Sequence, residues 1–190
     1  MRRAFPIAVM LTLVATAGCR KAPPKPTANQ TVAAKPSTPE QPAQLLDRSQ
    51  AGKAEPTASF LKPDGSKARL ADFRGKPLLL NLWATWCVPC ITEMPQLDTL
   101  AGQHKDLQVI TVSQDSGEDG KKKAQGFFAQ KKFANIKLFL DPDGALMDAF
   151  STASLPTTVL FDKDGKEVWR VMGPEDWTGK KAAGLVAEAG

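Results

Sequence analysis

The chain is poor in the residues that build most catalytic and metal centres: its 190 residues hold three cysteines and a single histidine, His104. Cys19, Cys87 and Cys90 are too few for the disulfide framework of a small secreted scaffold. A zinc site built on a cysteine pair needs two further ligands, and one histidine does not supply them. No serine triad, metal-ligand cluster or phosphate-binding glycine loop is present, and no cofactor is expected. Long apolar runs are missing too: Ala4 to Ala17, about 14 residues, falls short of the ~20 that cross a bilayer as a helix. The net charge of +5 is accounted for by Arg2, Arg3, Arg20, Lys21, Lys25 and Lys35 against Glu40. The remainder carries no net charge, which removes the electrostatic case for a nucleic-acid partner.

What stands at the start reads as export. Arg2 and Arg3 precede the apolar run and small residues lead to Cys19, so residues 1–18 are expected to be a signal peptide. The segment Ala15-Thr16-Ala17-Gly18-Cys19 resembles a lipobox, in which the cysteine is lipid-modified and becomes the new N-terminus; Thr16 stands where leucine is commoner. An ordinary cleaved signal or an uncleaved anchor are the alternatives, and either leaves an odd cysteine in an exported chain. If Cys19 carries lipid, Cys87 and Cys90 have only each other. A bridge across so short a loop is worth little as a structural staple.

Residues 19–45 carry Pro23, Pro24, Pro26, Pro36, Pro39 and Pro42 and almost no large apolar side chain, so they are expected to be an extended tether. Its lysines face an anionic membrane surface, each adding about 1 kcal/mol of attraction. Residues 46–190 are assigned to one folded domain, with its first regular element near Thr57. Pro63-Asp64-Gly65 signals a hairpin between Thr57–Leu61 and Lys67–Leu70. Leu78–Ala84 is a nearly continuous apolar run, as in a strand buried on both faces. A helix follows over about Val88–Gln103, with Pro95 expected to kink it. Further on come a strand at Leu107–Val112, a helix at Glu118–Phe133, a strand at Lys137–Leu140 and a short helix at Ala145–Phe150. Strands at Thr157–Phe161 and Glu167–Val171 are joined by a turn, and a last helix is expected from Pro174, with Glu175 and Asp176 in its first turn. Strands alternating with helices and finished by an antiparallel hairpin indicate a mixed α/β sandwich.

The chemistry concentrates in Leu78–Pro95, which carries Cys87 and Cys90 from the end of the buried strand onto the start of a helix. Free backbone N–H groups and the helix dipole favour a thiolate there, and C-x-x-C spacing lowers a thiol pKa below the free value of about 8.5. His104 is not a plausible base for these thiols: fourteen residues of helix beyond Cys90 at 1.5 Å each put it about 21 Å away.

Trp83-Ala84-Thr85-Trp86-Cys87-Val88-Pro89-Cys90, then Glu93-Met94-Pro95, with Leu155-Pro156-Thr157-Thr158 about 65 residues beyond the second cysteine, resembles the membrane-tethered thioredoxin-like proteins of the TlpA and ResA type. The resemblance covers roughly Thr57 to the C-terminus. It implies a thioredoxin fold, a central mixed sheet flanked by helices, with an added N-terminal β-hairpin and a central αβ insertion over Glu118–Leu140. Cys87 is expected to be the nucleophile and Cys90 the resolving thiol of a redox-active disulfide. Pro156, trans on base rates for X-Pro bonds, is cis by the resemblance, with Leu155 offering backbone groups to an extended substrate and Trp86 beside the nucleophile as a further substrate contact. Glu93 is either a solvated carboxylate or a buried one that tunes the thiols. Asn81, where thioredoxins commonly carry a buried Asp, favours the second, since an amide cannot take a proton.

The activity expected is that of a lipid-anchored, periplasm-facing thiol:disulfide oxidoreductase of the cell envelope that reduces protein disulfides. The family implies a membrane thiol-disulfide electron donor, and as clients apocytochrome c or copper-site assembly factors. A disulfide oxidant or isomerase on the same fold, and a non-enzymatic tethered binding lipoprotein, are the alternatives. The scarcity of histidine and the short cysteine spacing disfavour copper delivery of the Sco type. The missing P-x-x-x-[TS]-x-x-C disfavours a peroxidase.

Overall fold

The computed structural model describes residues 45–190; the expected signal peptide, Cys19 and nearly all of the tether lie outside the described residues. Eight strands form one mixed sheet in the order β1-β8-β7-β4-β5-β6-β2-β3: Leu45–Asp47 (β1), Ser59–Leu61 (β2), Lys67–Arg69 (β3), Leu78–Trp83 (β4), Gln108–Ser113 (β5), Lys137–Leu140 (β6), Thr157–Phe161 (β7) and Glu167–Met172 (β8). The helices are Val88–Gln103 (α1), Gly117–Lys131 (α2), Ala145–Phe150 (α3) and Lys180–Val186 (α4). This is a thioredoxin-like fold with extra strands and helices.

Every residue of β4 is buried, because it lies between β5, parallel to it, and β7, antiparallel. Successive strand side chains point to opposite faces, and that alternation builds two cores. Leu79 and Trp83 face α1, α2 and α4, joining Met94, Leu97, Ala124 and Leu185. Leu78, Leu80 and Leu82 face the hairpin and α3, joining Phe60, Phe139, Leu146 and Phe150. Each fully buried leucine contributes about 1.5–3 kcal/mol. Asn81 falls on the first face, the only polar side chain of β4, directly under α1.

The second face of Trp83 explains how α2 docks. Its ring packs against Phe127 and Phe128 at centroid distances of 5.2 and 5.8 Å. Lys132 ends α2 in the left-handed conformation and turns Phe133 back onto the same two rings.

Two elements differ from the sequence expectation. The first regular element comes before Thr57: β1 pairs antiparallel with β8, and the Gly52 and Glu55 N–H groups donate to the Glu167 and Gly165 carbonyls at 2.8 Å each. The last helix starts at Lys180, not Pro174. The Glu175 and Trp177 N–H groups are donated to the side chains of Glu93 and Gln96, and Asp176 closes a turn on Thr178, so this segment is pinned to α1 before a helical turn can close. Helix α1 itself runs through Pro95 without interruption.

Candidate active site

Strand β4 ends at Trp83, and the next residues make a tight turn in which the Cys87 N–H donates to the Ala84 carbonyl at 3.1 Å. Cys87 is the N-cap of α1, with extended backbone, and Pro89 occupies the first helical turn, where a missing N–H costs nothing. Its Sγ accepts the Cys90 N–H at 3.3 Å. That is one of the orphan donors of a helix start, and it favours charge on sulfur. Cys87 and Cys90 form a disulfide with Cα atoms 5.3 Å apart. Cys87 keeps 6% of its surface exposed and Cys90 none, so the first cysteine is the more accessible of the two.

The neighbouring aromatics separate cleanly. Trp83 is wholly buried in the core, whereas Trp86 is 69% exposed and, with Val88 at 73%, leaves a large apolar surface flanking Cys87. The Leu155–Pro156 peptide is cis. Strand pairing sets Thr157 opposite Leu82, which brings Pro156 to the level of Trp83, at the sheet edge from which the chain leaves for Cys87. The Pro156 carbonyl is taken by the Gly173 N–H at 2.9 Å, while Leu155 is half-buried and touches both cores.

Glu93, one turn beyond Cys90, points inward and is only 3% exposed. Its Oε1 accepts the Asn81 side-chain amide at 2.8 Å and its Oε2 the Glu175 N–H at 3.3 Å. The Trp177 indole N–H also pulls on the carboxylate without reaching hydrogen-bond geometry. Burial outweighs these donors and pushes the carboxyl up to about 7 from 4.5. The same Asn81 amide donates to Thr158 Oγ1 at 3.0 Å, linking α1 to β7 just after the cis proline. A cavity of about 360 Å³ opens beside this group, with Val88, Pro89 and Glu93 on one wall and Pro174 and Glu175 on the other.

His104 caps the far end of α1, remote along the helix from Cys87. No group of three or more metal-ligating side chains occurs among the described residues, and none of their helices is long and apolar enough to cross a membrane. Sequence reasoning found the cysteines, Glu93 and Asn81 but not Glu175 and Trp177, which close over Glu93, nor Gln96, which accepts the Trp177 N–H. The signal available was weak: polar residues after a Gly-Pro pair read equally well as a helix start.

A disulfide-bonded cysteine pair at the start of a helix, fed by a buried central strand and faced by a cis-proline strand, defines a thiol–disulfide exchange site on a thioredoxin-like fold. The Redoxin family profile matches residues 50–186. Thiol-disulfide oxidoreductase ResA of Bacillus thuringiensis is 31% identical over 129 residues, 68% of this chain and 73% of that protein. Among solved structures, a Chlorobium tepidum protein described as a thiol:disulfide interchange protein DsbE superposes with a TM-score of 0.64 at 25% identity, covering 74% of this chain and 98% of that one. The exposed lipoprotein thioredoxin Etrx1 of Streptococcus pneumoniae gives 0.54 at 27%, covering 69% and 96%. The chain belongs to the Redoxin family as a thioredoxin-fold, ResA/DsbE-like thiol-disulfide oxidoreductase. It is an enzyme acting through the C-x-x-C disulfide, and membership implies disulfide-containing client proteins as its general substrates.

Proposed function

We propose that this oxidoreductase reduces protein disulfides on the periplasmic side of a membrane, held there by lipid on Cys19 and the tether of residues 19–45 after removal of residues 1–18. The observation that carries the catalytic assignment is the asymmetry of the pair: Cys87, on the helix N-cap, keeps 6% of its surface exposed, and Cys90 beneath it none. In the reduced enzyme the Cys87 thiolate attacks one sulfur of a client disulfide, forming a mixed disulfide and expelling one client thiolate. Cys90, as thiolate, then attacks Cys87 Sγ, closing the Cys87–Cys90 bond and expelling the second. Two electrons pass from the enzyme dithiol to the client, and a membrane thiol-disulfide donor restores the dithiol. Trp86 and the cis-Pro156 edge with Leu155 flank the incoming segment. Glu93, which titrates near pH 7 by burial, tunes the thiol protons.

The reducing direction is supported by Pro89 immediately before Cys90 and by the absence of histidine between the cysteines. The lipid anchor is supported by the lipobox-like segment and by a relative described as an exposed lipoprotein. Clients fitting this chemistry include the haem-attachment cysteines of apocytochrome c and the copper-site cysteines of oxidase assembly factors. The decisive experiment is trapping on a Cys90→Ala variant: clients accumulate as mixed disulfides through Cys87, and recovery of none, or of adducts that persist in Cys87→Ala, refutes the assignment. A reduction potential near −120 mV, as in DsbA, and not near the −270 mV of thioredoxin, would make it an oxidant.

A further inference from the structure

Asp115 lies on the connection between β5 and α2, far along the chain from the cysteines, and is buried. Its carboxylate nevertheless gathers donors from the active-site turn. Oδ2 accepts the Thr85 backbone N–H at 2.9 Å and the Ser113 hydroxyl at 2.7 Å, while Oδ1 accepts the Thr85 hydroxyl at 2.6 Å. Thr85 stands two residues before Cys87, inside the turn closed by the bond from the Cys87 N–H to Ala84. The carboxylate is itself fixed from two sides. The Asp115 N–H donates to Ser113 Oγ at 3.1 Å, and the α2 backbone packs so closely that a Cβ on Gly120 would sit 2.5 Å from the Asp115 carbonyl carbon. One strand end is also tied to the other, since the Gln114 N–H donates to the Trp83 carbonyl at 2.8 Å.

We propose that Asp115 is a positioning residue for disulfide exchange, acting through Thr85 to fix the Ala84–Cys87 turn and with it the line along which Cys87 Sγ meets an incoming sulfur. Displacement at sulfur requires the attacking, central and leaving sulfurs to lie nearly in line, so the reaction is sensitive to small errors in where the nucleophile points. Two bonds from Thr85 to one rigid, buried carboxyl group hold both the backbone and the side chain of that residue. The inference rests on Cys87 being the attacking sulfur.

The test compares Thr85→Val, Thr85→Ser and Asp115→Asn with the parent enzyme and with Cys87→Ala, measuring steady-state reduction of a disulfide-bonded model peptide, with excess glutathione supplying two electrons per cycle to regenerate the dithiol and the uncatalysed rate subtracted, and the urea unfolding midpoint of each protein. Thr85→Val keeps the backbone bond and deletes one hydroxyl, so it is expected to lower kcat about tenfold with KM and the midpoint nearly unchanged. Thr85→Ser restores turnover, and Asp115→Asn falls below Thr85→Val. Parent-like kcat in both Thr85→Val and Asp115→Asn overturns the inference, as does a loss of kcat in Thr85→Val matched by a loss of stability or not rescued by serine. If Asp115→Asn does not fold, Thr85→Val and its serine rescue decide alone. An active Cys87→Ala overturns the assignment of the nucleophile instead, so the two failures are told apart.

Discussion

Glu93→Gln replaces a buried acid by a neutral side chain of the same shape, and its effect on stability has a sign that can be worked out beforehand. Burial raises the folded-state carboxyl from 4.5 to about 7, so between those values the folded protein keeps a proton that the unfolded chain has released. Stability therefore falls as pH rises across that window: the contribution is fully present below about 4.5 and is lost by the time the folded group ionises, near 7. The gap corresponds to roughly 3 kcal/mol. Glutamine never ionises, so the variant keeps what the parent loses. Urea unfolding of both oxidised proteins at pH 4 and at pH 8 isolates the term, because every other titrating group cancels in the difference. Relative to the parent, Glu93→Gln should gain about 3 kcal/mol between the two pH values. Parallel profiles, or a relative gain at low pH, refute the placement of a protonatable carboxyl under α1. The same variant, reduced, should show an altered pH dependence of Cys87 alkylation, and an unaltered one would sink the tuning role.

Leu82→Ala, in the wholly buried strand β4, should cost about 2–5 kcal/mol in urea unfolding; less than 1 would mean that the second core is looser than its packing implies. Two glycines of α2 make a matched pair. Gly126→Ala meets nothing within 4 Å and should stabilise by up to about 1 kcal/mol through helix propensity. Gly120→Ala forces a Cβ into the Asp115 backbone and should destabilise by about 1–3 kcal/mol. Thermal denaturation that ranks the two alike would contradict this packing.

The parts of this fold that announce themselves in sequence are those whose stability is local or patterned. Leu78–Trp83 reads as a central strand because burial on both faces leaves no room for polar alternation, and Cys87-Val88-Pro89-Cys90 reads as a helix start because the proline fits no later position so well. Strand β1 is silent: Leu45-Leu46-Asp47 is too short to show a period, and pairing with β8 makes it a strand. The Pro174-Glu175-Asp176 signal misleads for a related reason. Its chemistry suits a helix start, yet its N–H groups are claimed by Glu93 and Gln96, a long-range bond invisible in the chain. Asp115 was equally hidden, since an aspartate after a strand ordinarily marks a turn facing solvent. Trp83 and Trp86 are the same residue type three positions apart and opposite in burial, because Trp83 ends the buried strand and Trp86 lies in the turn beyond it.

The short N-terminal strand has a consequence for where this domain can be cut. Strand β8 has β7 on one side, and on the other, among the described residues, only β1 and the stretch through Glu55 occupy its hydrogen-bonding groups. A chain begun at Thr57 would keep both cores and the cysteine pair, yet present the six residues of β8, alternately buried and half-buried, as a bare strand to any neighbour with an open edge. The three residues of β1 thus act as a guard rail: they add little to the core, but as the outermost strand they leave an edge of three residues where β8 would offer six.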